Sequence, residues 1–162
     1  MDAAKIFLPV VAGPTASGKT ALAVELSRRF NGEVVSADSM QIYEQLFVGT
    51  ARPSSEEMQG IPHHLQGFLP LSQGYSVARY VQDANSVIKD ISSRGRMPLM
   101  CGGTGLYIDA VVDNLRFQGG GENTQLREQL RTKAKQQGGQ ALLDELALVD
   151  EQTAARLNPN NV

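Results

Sequence analysis

Three short apolar runs in the N-terminal part of the chain have the composition of buried β-strands. They are KIFLPVVAG at 5–13, GEVVSAD at 32–38 and MPLMC at 97–101. Proline cannot donate to a strand ladder, so Pro9 is expected near the start of the first strand or at an irregularity in it. Each run leads into a polar or glycine-rich stretch, which predicts that each strand ends in a loop.

The segments between these runs have the spacing of amphipathic helices. One helix is predicted from about Gly18 to Phe30, with Asn31-Gly32 as its stop signal; its apolar residues at four-residue spacing are Leu22, Leu26 and Phe30. A longer helix is predicted from the N-cap Ser76 to about Ser93, closed by Gly95, with the apolar face Val77, Val81, Ala84, Ile88 and Ile91. A third follows the turn GGTG at 102–105 and contains Leu106, Ile108 and Val112. Strands that alternate with helices predict an α/β fold with a parallel sheet covered on both faces.

Two other segments differ from this alternation. Residues 44–75 are rich in Gly, Pro, Ser and His, which predicts loops around a short helix capped near Ser54 or Ser55. Long loops in compact domains are usually functional. From about Arg116 the pattern becomes wholly helical, with an interruption at Gly138-Gly139, and therefore predicts a helical appendage at 116–162.

Composition and charge limit the function classes. Hydrophobic residues make up 41% and charged residues 20%, which is ordinary for a globular protein, and no apolar run approaches the roughly 18 residues of a membrane span. The single cysteine, Cys101, is expected to be a small buried residue in a reducing cytoplasm. Lys and Arg number 15 against 17 Asp and Glu, so any contact with nucleic acid must be local or lie outside this chain.

The residues between the first strand and the first helix match the phosphate-binding pattern G-x-x-x-x-G-K-[ST]. They are Gly13, Pro14, Thr15, Ala16, Ser17, Gly18, Lys19 and Thr20. Backbone N–H groups of such a loop point inward, the helix N-terminus adds positive potential, and Lys19 adds a full charge. The Thr20 hydroxyl is a candidate Mg²⁺ ligand. In this context the motif predicts a polyphosphate site, and a glycine-rich turn that binds nothing is the less favoured alternative.

A Mg²⁺-directing carboxylate does not occur at its usual place in the sequence. Kinases and nucleoside triphosphatases normally have a second strand that ends in such an Asp, whereas MPLMC at 97–101 ends in Gly-Gly-Thr. Asp38 is the remaining candidate, because it follows a strand at the carboxyl edge where open parallel sheets bind ligands. An Asp at this place can also be only a turn former.

Six stretches in this order resemble the tRNA dimethylallyltransferase family, also called tRNA isopentenyltransferases. They are GPTASGKT at 13–20, DSMQIY at 38–43, GTARP at 49–53, GIPHHL at 60–65, GRMPLMCGGTGLY at 95–107 and ARLNPN at 155–160. The resemblance implies a P-loop NTPase-like core at 1–115 and a helical inserted domain that grips tRNA at 116–162. Because family members are about twice as long, the chain is expected to be an N-terminal part.

The resemblance also implies the activity, which is transfer of a dimethylallyl group from dimethylallyl diphosphate to N6 of adenosine 37 in the tRNA anticodon loop, with Mg²⁺. It implies that Asp38 is the catalytic base, that Lys19 stabilises the leaving diphosphate, and that Thr104 lies between the diphosphate and the tRNA. The residues implied to contact tRNA are Asp38, Ser39, Met40, Gln41, Thr104 and Arg127. We expect the protein to be a cytoplasmic monomer. The alternative to the transferase activity is that of a P-loop small-molecule or nucleotide kinase.

Three features have competing interpretations. The pair His63-His64 is more simply a solvent-facing or RNA-contacting loop than a metal site. The basic stripe of Arg127, Arg131 and Lys135 is commonly a solvated helix face, although the resemblance favours RNA contact for Arg127. Tyr43 and Tyr107 are either base-stacking or buried structural residues.

Overall fold

The computed structural model describes residues 5–115 and 123–160. The chain forms two compact units, Met1–Phe117 and Gln118–Val162. The first unit contains a parallel sheet of four strands, β1 (Val10–Ala12), β2 (Gly32–Ser36), β3 (His63–His64) and β4 (Met97–Gly102), in the order β1-β4-β2-β3. The predicted α/β class with a parallel sheet is therefore confirmed, and β3 is a strand that the sequence pattern did not predict.

The central strands β2 and β4 are buried as expected, but β1 is not. Val10 and Ala12 are exposed, because among the described residues β1 pairs only with β4 and forms an edge. The prediction of a buried strand over 5–13 is wrong in its extent. Pro9 directly precedes β1, and its carbonyl accepts from the Met100 N–H at 2.9 Å, so proline is tolerated where no donor is needed.

Helix α1 (Lys19–Arg29) lies against one face of the sheet, and of the three predicted apolar residues only Leu26, which is half-buried, packs against that core. Its buried residues are Ala23, Val24 and Ser27, whereas Leu22 and Phe30 are 51% and 60% exposed. A Cβ on Gly32 would lie 3.3 Å from the Ser27 Cα, which shows how closely the helix approaches the start of β2. The fully buried positions of the helix carry small side chains and a valine, which permit this close approach.

The other face of the sheet is covered by α3 (Val77–Ser93) and α4 (Gly105–Val112). The bounds of α3 agree with the prediction: the Ser76 hydroxyl accepts from the Arg79 N–H at 3.2 Å, and Gly95, with φ of 70°, follows the last turn. The predicted apolar face is also correct, with Tyr80 added and Val77 half-buried.

Helix α4 buries Tyr107, Ala110 and Val111, whereas the predicted Leu106 and Val112 are more than half exposed. The Tyr107 ring stacks on the Tyr80 ring, with centroids 4.0 Å apart. Tyr107 is therefore a buried structural tyrosine and not a surface for base stacking.

The segment between β2 and α3 contains α2 (Ser55–Met58) and the strand β3. Of the two predicted caps, Ser54 and Ser55, the structure selects Ser54, which forms a capping box with Glu57. The backbone then reaches β3, where His63 pairs with Val34 and His64 with Val35. The interpretation of His63-His64 as a solvent-facing loop is wrong, because both are half-buried in a strand.

The second unit is helical, with α5 (Thr124–Gln137), α6 (Gly139–Ala147) and α7 (Glu151–Ala154). The predicted interruption between the first two lies at Gly138, whose φ is 83°. The predicted boundary at 116 lies outside the described residues, and the inserted domain stays a prediction. No described helix is long and apolar enough to cross a membrane.

Candidate active site

The phosphate-binding loop joins β1 to α1 in the order that the sequence predicts. Gly18 is the N-cap of α1 with φ of 81°, a left-handed conformation that glycine adopts without steric cost. Its carbonyl accepts from the Leu22 N–H at 3.2 Å, so the helix begins directly at the loop. The Lys19 ammonium donates to the Pro14 carbonyl at 2.5 Å, which places the cation over the loop. Backbone donors, a helix N-terminus and a lysine together suit a polyphosphate.

Asp38 closes a tight turn directly after β2. Its Oδ1 accepts from the Met40 N–H at 2.9 Å and from the Gln41 N–H at 3.3 Å. Asp38 is thus a turn former, as one alternative held, but its half-buried carboxylate also lines the cleft beside the phosphate loop. The two interpretations of this residue are compatible.

The turn after β4 is hydrogen-bonded to the turn after β2. The Thr104 N–H donates to the Ala37 carbonyl at 3.0 Å, and the Thr104 Oγ1 accepts from the Ser39 N–H at 3.0 Å. This hydroxyl also donates to the Ser39 Oγ at 3.3 Å. The structure therefore brings Thr104 next to the turn that contains Asp38 and Ser39, a distant part of the chain.

The phosphate loop and Asp38 line one cleft of about 260 Å³. Residues from the loop and the start of α1 form one side: Thr15, Ala16, Ser17, Gly18, Lys19, Thr20 and Ala21. Val34, Ser36, Cys101 and Gly102 contribute from β2 and β4. This is the carboxyl edge of a parallel sheet, where such folds bind ligands.

The remaining wall of the cleft comes from the segment between β2 and α3. It contains Gln41, Thr50, Ala51, Pro53, Glu57, His63 and Gln66. Of these, the sequence assigned a role only to Gln41. The other residues lie in the segment 44–75, which the sequence predicted only as a functional loop. Which of its residues face the cleft depends on the pairing of β3 with β2.

Three of the residues predicted to contact tRNA differ in their exposure and hydrogen bonding. The Gln41 amide nitrogen donates to the Thr50 and Ala51 carbonyls at 3.0 and 3.2 Å, so only its oxygen remains to accept from a ligand. Met40 is 51% exposed at the surface. Arg127 is exposed on α5 in the second unit, and its contact with tRNA stays a prediction.

Cys101 is half-buried, so the expected small buried residue is only partly correct. Burial raises the pKa of its thiol to about 11, with a further upward effect of Asp38 and an opposing effect of Lys19. The thiol is therefore neutral near pH 7 and a poor nucleophile.

The oxygen ligands in the cleft have the chemistry that Mg²⁺ prefers. The Thr20 hydroxyl and the carboxylates of Asp38 and Glu57 all line it. Within residues 5–115 and 123–160, no group of three or more ligating His, Cys, Asp or Glu side chains could hold a metal alone. The residues fit an ion that is bound together with a phosphate group.

Comparison with known proteins places the chain in a family. The family model for IPP transferase matches residues 41–162. Proteins named tRNA dimethylallyltransferase from Rhizobium johnstonii and Caldanaerobacter subterraneus are 49% and 44% identical over 149 and 157 residues. These alignments cover 92% and 97% of this chain and 50% of each relative, so the chain spans about half the length of the curated relatives it matches.

Solved structures agree with this placement. The tRNA isopentenylpyrophosphate transferase of Bacillus halodurans is 42% identical with a TM-score of 0.70, over 97% of this chain and 52% of that one. A eukaryotic dimethylallyltransferase, crystallised in snapshots of its action on tRNA, is 30% identical with a TM-score of 0.84, over 97% and 39% of the two chains. The resemblance seen in the sequence motifs is confirmed: this chain belongs to the IPP transferase family, which includes the tRNA dimethylallyltransferases.

Proposed function

We propose that the chain carries the diphosphate-binding and base-binding half of an enzyme that transfers a dimethylallyl group from dimethylallyl diphosphate to N6 of adenosine 37 in the tRNA anticodon loop. The observation that carries this proposal is the single cleft shared by the phosphate loop and Asp38. The acceptor implies a cytoplasmic protein, and we propose that it acts as a monomer. A kinase is the alternative, and the family membership does not favour it.

The phosphate loop would bind the diphosphate as a leaving group. Inward backbone N–H groups and the Lys19 ammonium stabilise the negative charge that builds on the diphosphate as the allylic C–O bond breaks. Mg²⁺, when bound with the diphosphate near the Thr20 hydroxyl, supplies further charge neutralisation. For a diphosphate that leaves as a whole, a second strand ending in a Mg²⁺-directing Asp is not required.

Asp38 would accept the proton that N6 loses when its C–N bond forms. Its Oδ1 is held by the Met40 and Gln41 N–H groups, and among the described residues its Oδ2 has no hydrogen-bond partner. A base at this place contributes roughly 10²–10⁴-fold to the rate, because the N6 lone pair is delocalised into the ring. Ser39, Met40, Gln41 and Thr104 would surround the adenine, and the Gln41 oxygen can accept from its amino group.

The test is transfer to an anticodon stem-loop that contains adenosine 37, followed by mass spectrometry of the nucleosides. Because the relatives are about twice as long, the chain is assayed alone and fused to the C-terminal half of the Rhizobium johnstonii relative. We expect the fusion to add a five-carbon unit. A fusion that adds none, while the intact relative does, would contradict the proposal.

Asp38→Asn in the same fusion separates the base from the turn. The Asn oxygen can still accept from the Met40 and Gln41 N–H groups, whereas Ala cannot. We expect transfer to fall roughly 10²–10⁴-fold with little change in diphosphate affinity measured by calorimetry. An equal loss of diphosphate affinity would mean that Asp38 serves the metal instead. Thermal stabilisation by ATP but not by dimethylallyl diphosphate would favour the kinase.

A further inference from the structure

His63 presents a hydrogen-bond acceptor to the cleft. The residue pairs with Val34 across the β3–β2 ladder, and both line the cleft. Its Nδ1 lies 2.8 Å from the Ile61 carbonyl, and because a carbonyl only accepts, Nδ1 carries the hydrogen. Burial lowers the pKa of His63 below its usual range, opposed by the hydrogen bond to the Ile61 carbonyl and aided by a smaller effect of His64, so the ring is neutral near pH 7. Its Nε2 is then unprotonated, with no hydrogen-bond partner in the described ranges.

The neighbouring histidine fixes this orientation. Successive residues of a strand point to opposite faces, and the His64 Nε2 lies 2.7 Å from the Glu33 Oε2. Glu33 is only 2% exposed and also accepts from Arg94 and Arg96. This ionic cluster holds β3 so that His63 faces the cleft.

A second acceptor on the same wall lacks a donor. Gln66 lines the cleft, and its Oε1 is buried without a hydrogen-bond partner among the described residues. The Gln66 amide nitrogen has only a long contact with the Met58 sulfur, at 4.0 Å. A buried acceptor without a donor is costly, and rotation of the amide can bring this oxygen to a donor that enters the cleft. The nearby Glu57 carboxylate is likewise only an acceptor when ionised.

A diphosphate alone cannot supply the missing donors, because its oxygens are acceptors. Mg²⁺ bound through phosphates usually keeps several of its waters. A set of three ligating side chains that could displace them is absent from the described residues. Water molecules bound to a metal ion are strong hydrogen-bond donors, and they can therefore donate to the acceptors on this side of the cleft.

We propose that His63 and Gln66 accept hydrogen bonds from water molecules on a Mg²⁺ ion that enters the cleft with the diphosphate. The two residues then form an outer-sphere cation site opposite the phosphate loop. The inference rests on the proposed function only in requiring that the cleft binds a diphosphate.

Calorimetry with inorganic diphosphate, with and without Mg²⁺, tests this site on the 162-residue chain. In the unsubstituted protein we expect Mg²⁺ to tighten diphosphate binding. His63→Phe and Gln66→Leu remove the two acceptors, and each should reduce this Mg²⁺-dependent gain about threefold to tenfold while leaving the Mg²⁺-free affinity unchanged. His63→Gln keeps a side-chain oxygen and should restore part of the gain.

Gln82→Leu is the matched control, because it makes the same change at an exposed position on α3. Gln66→Leu should not lower the thermal midpoint of the ligand-free protein, because it removes an unpaired buried acceptor. Gln66→Leu therefore still tests the proposal if His63→Phe does not fold.

Two results would overturn the outer-sphere site. One is a Mg²⁺ gain that is the same in the unsubstituted protein and in both variants, including no gain in any of them. The other is a loss of stem-loop RNA affinity with the Mg²⁺ gain intact, which would assign the donor to an exocyclic amine of a base. Neither result concerns transfer by the fusion, which tests the proposed function separately.

Discussion

At the scale of single residues, Gly102 explains why β4 does not end in a carboxylate. A Cβ at this position would overlap the carbonyl group of Ala37, the residue before Asp38. The backbones of β4 and of the segment after β2 meet so closely that no side chain fits between them. A Cβ on the next residue, Gly103, would lie 3.4 Å from the Gly13 carbonyl oxygen, an ordinary contact.

Gly102→Ala should therefore destabilise the protein by about 3 kcal/mol or more, because backbone must move to admit the methyl group. Gly103→Ala is the matched control and should change the free energy of unfolding by less than about 1 kcal/mol. Urea unfolding followed by circular dichroism gives both values. Equal stability of the two variants would show that the close approach at Gly102 is not needed.

At the scale of elements, Glu33 connects parts of the fold that are distant in the chain. From β2 it accepts from His64 on β3, from Arg94 after α3 and from Arg96 before β4, at 2.7, 2.5 and 2.6 Å. The hydrogen bonds of Arg94, opposed by burial and supported by Arg96 and His64, hold the pKa of Glu33 well below its usual range. A buried carboxylate is stable here because three partners surround it.

This lowered pKa predicts a pH dependence of stability. Because the folded state binds the proton more weakly than the unfolded state, the contribution of Glu33 is fully present above the unfolded pKa of about 4.5 and is lost as the pH falls below it. Glu33→Gln should cost about 3 kcal/mol at pH 7, and the difference from the unsubstituted protein should shrink at more acidic pH.

Chemical unfolding at several pH values measures this difference. Glu44→Gln, at an exposed carboxylate in the segment after β2, is the control, and its difference should stay small throughout. A difference for Glu33→Gln that grows on acidification would be inconsistent with the ionic cluster.

At the scale of the whole molecule, all residues that line the cleft lie between Thr15 and Gly102, within the first unit. Diphosphate binding is therefore expected to be a property of this unit. The predicted tRNA contact of Arg127, in the second unit, does not enter into this expectation.

A fragment of residues 1–115 should bind inorganic diphosphate within roughly twofold of the affinity of the 162-residue chain. Calorimetry compares the two proteins, and Lys19→Ala in each is the control that should weaken binding. A folded fragment with tenfold weaker binding would show that the second unit contributes to the cleft.

The sequence by itself determined the parts whose cause is local. The phosphate loop, the cap and end of α3, the capping box of α2 and the central strands β2 and β4 all agree with residue patterns within one segment. The same is true of the α/β class, because alternation of strands and helices leaves few arrangements. The family motifs likewise occur in contiguous stretches, and the comparisons confirm them.

Only the tertiary structure decided which surfaces meet. Four-residue spacing could not reveal that α1 buries Ala23 and Ser27 instead of Leu22 and Phe30, because that depends on how closely the helix approaches the sheet. The strand β3 contains two histidines and no apolar pattern, and it forms because β2 offers a free ladder and Glu33 a partner. His63 and Gln66 reach the cleft by that pairing, a contact between distant segments that no local pattern encodes.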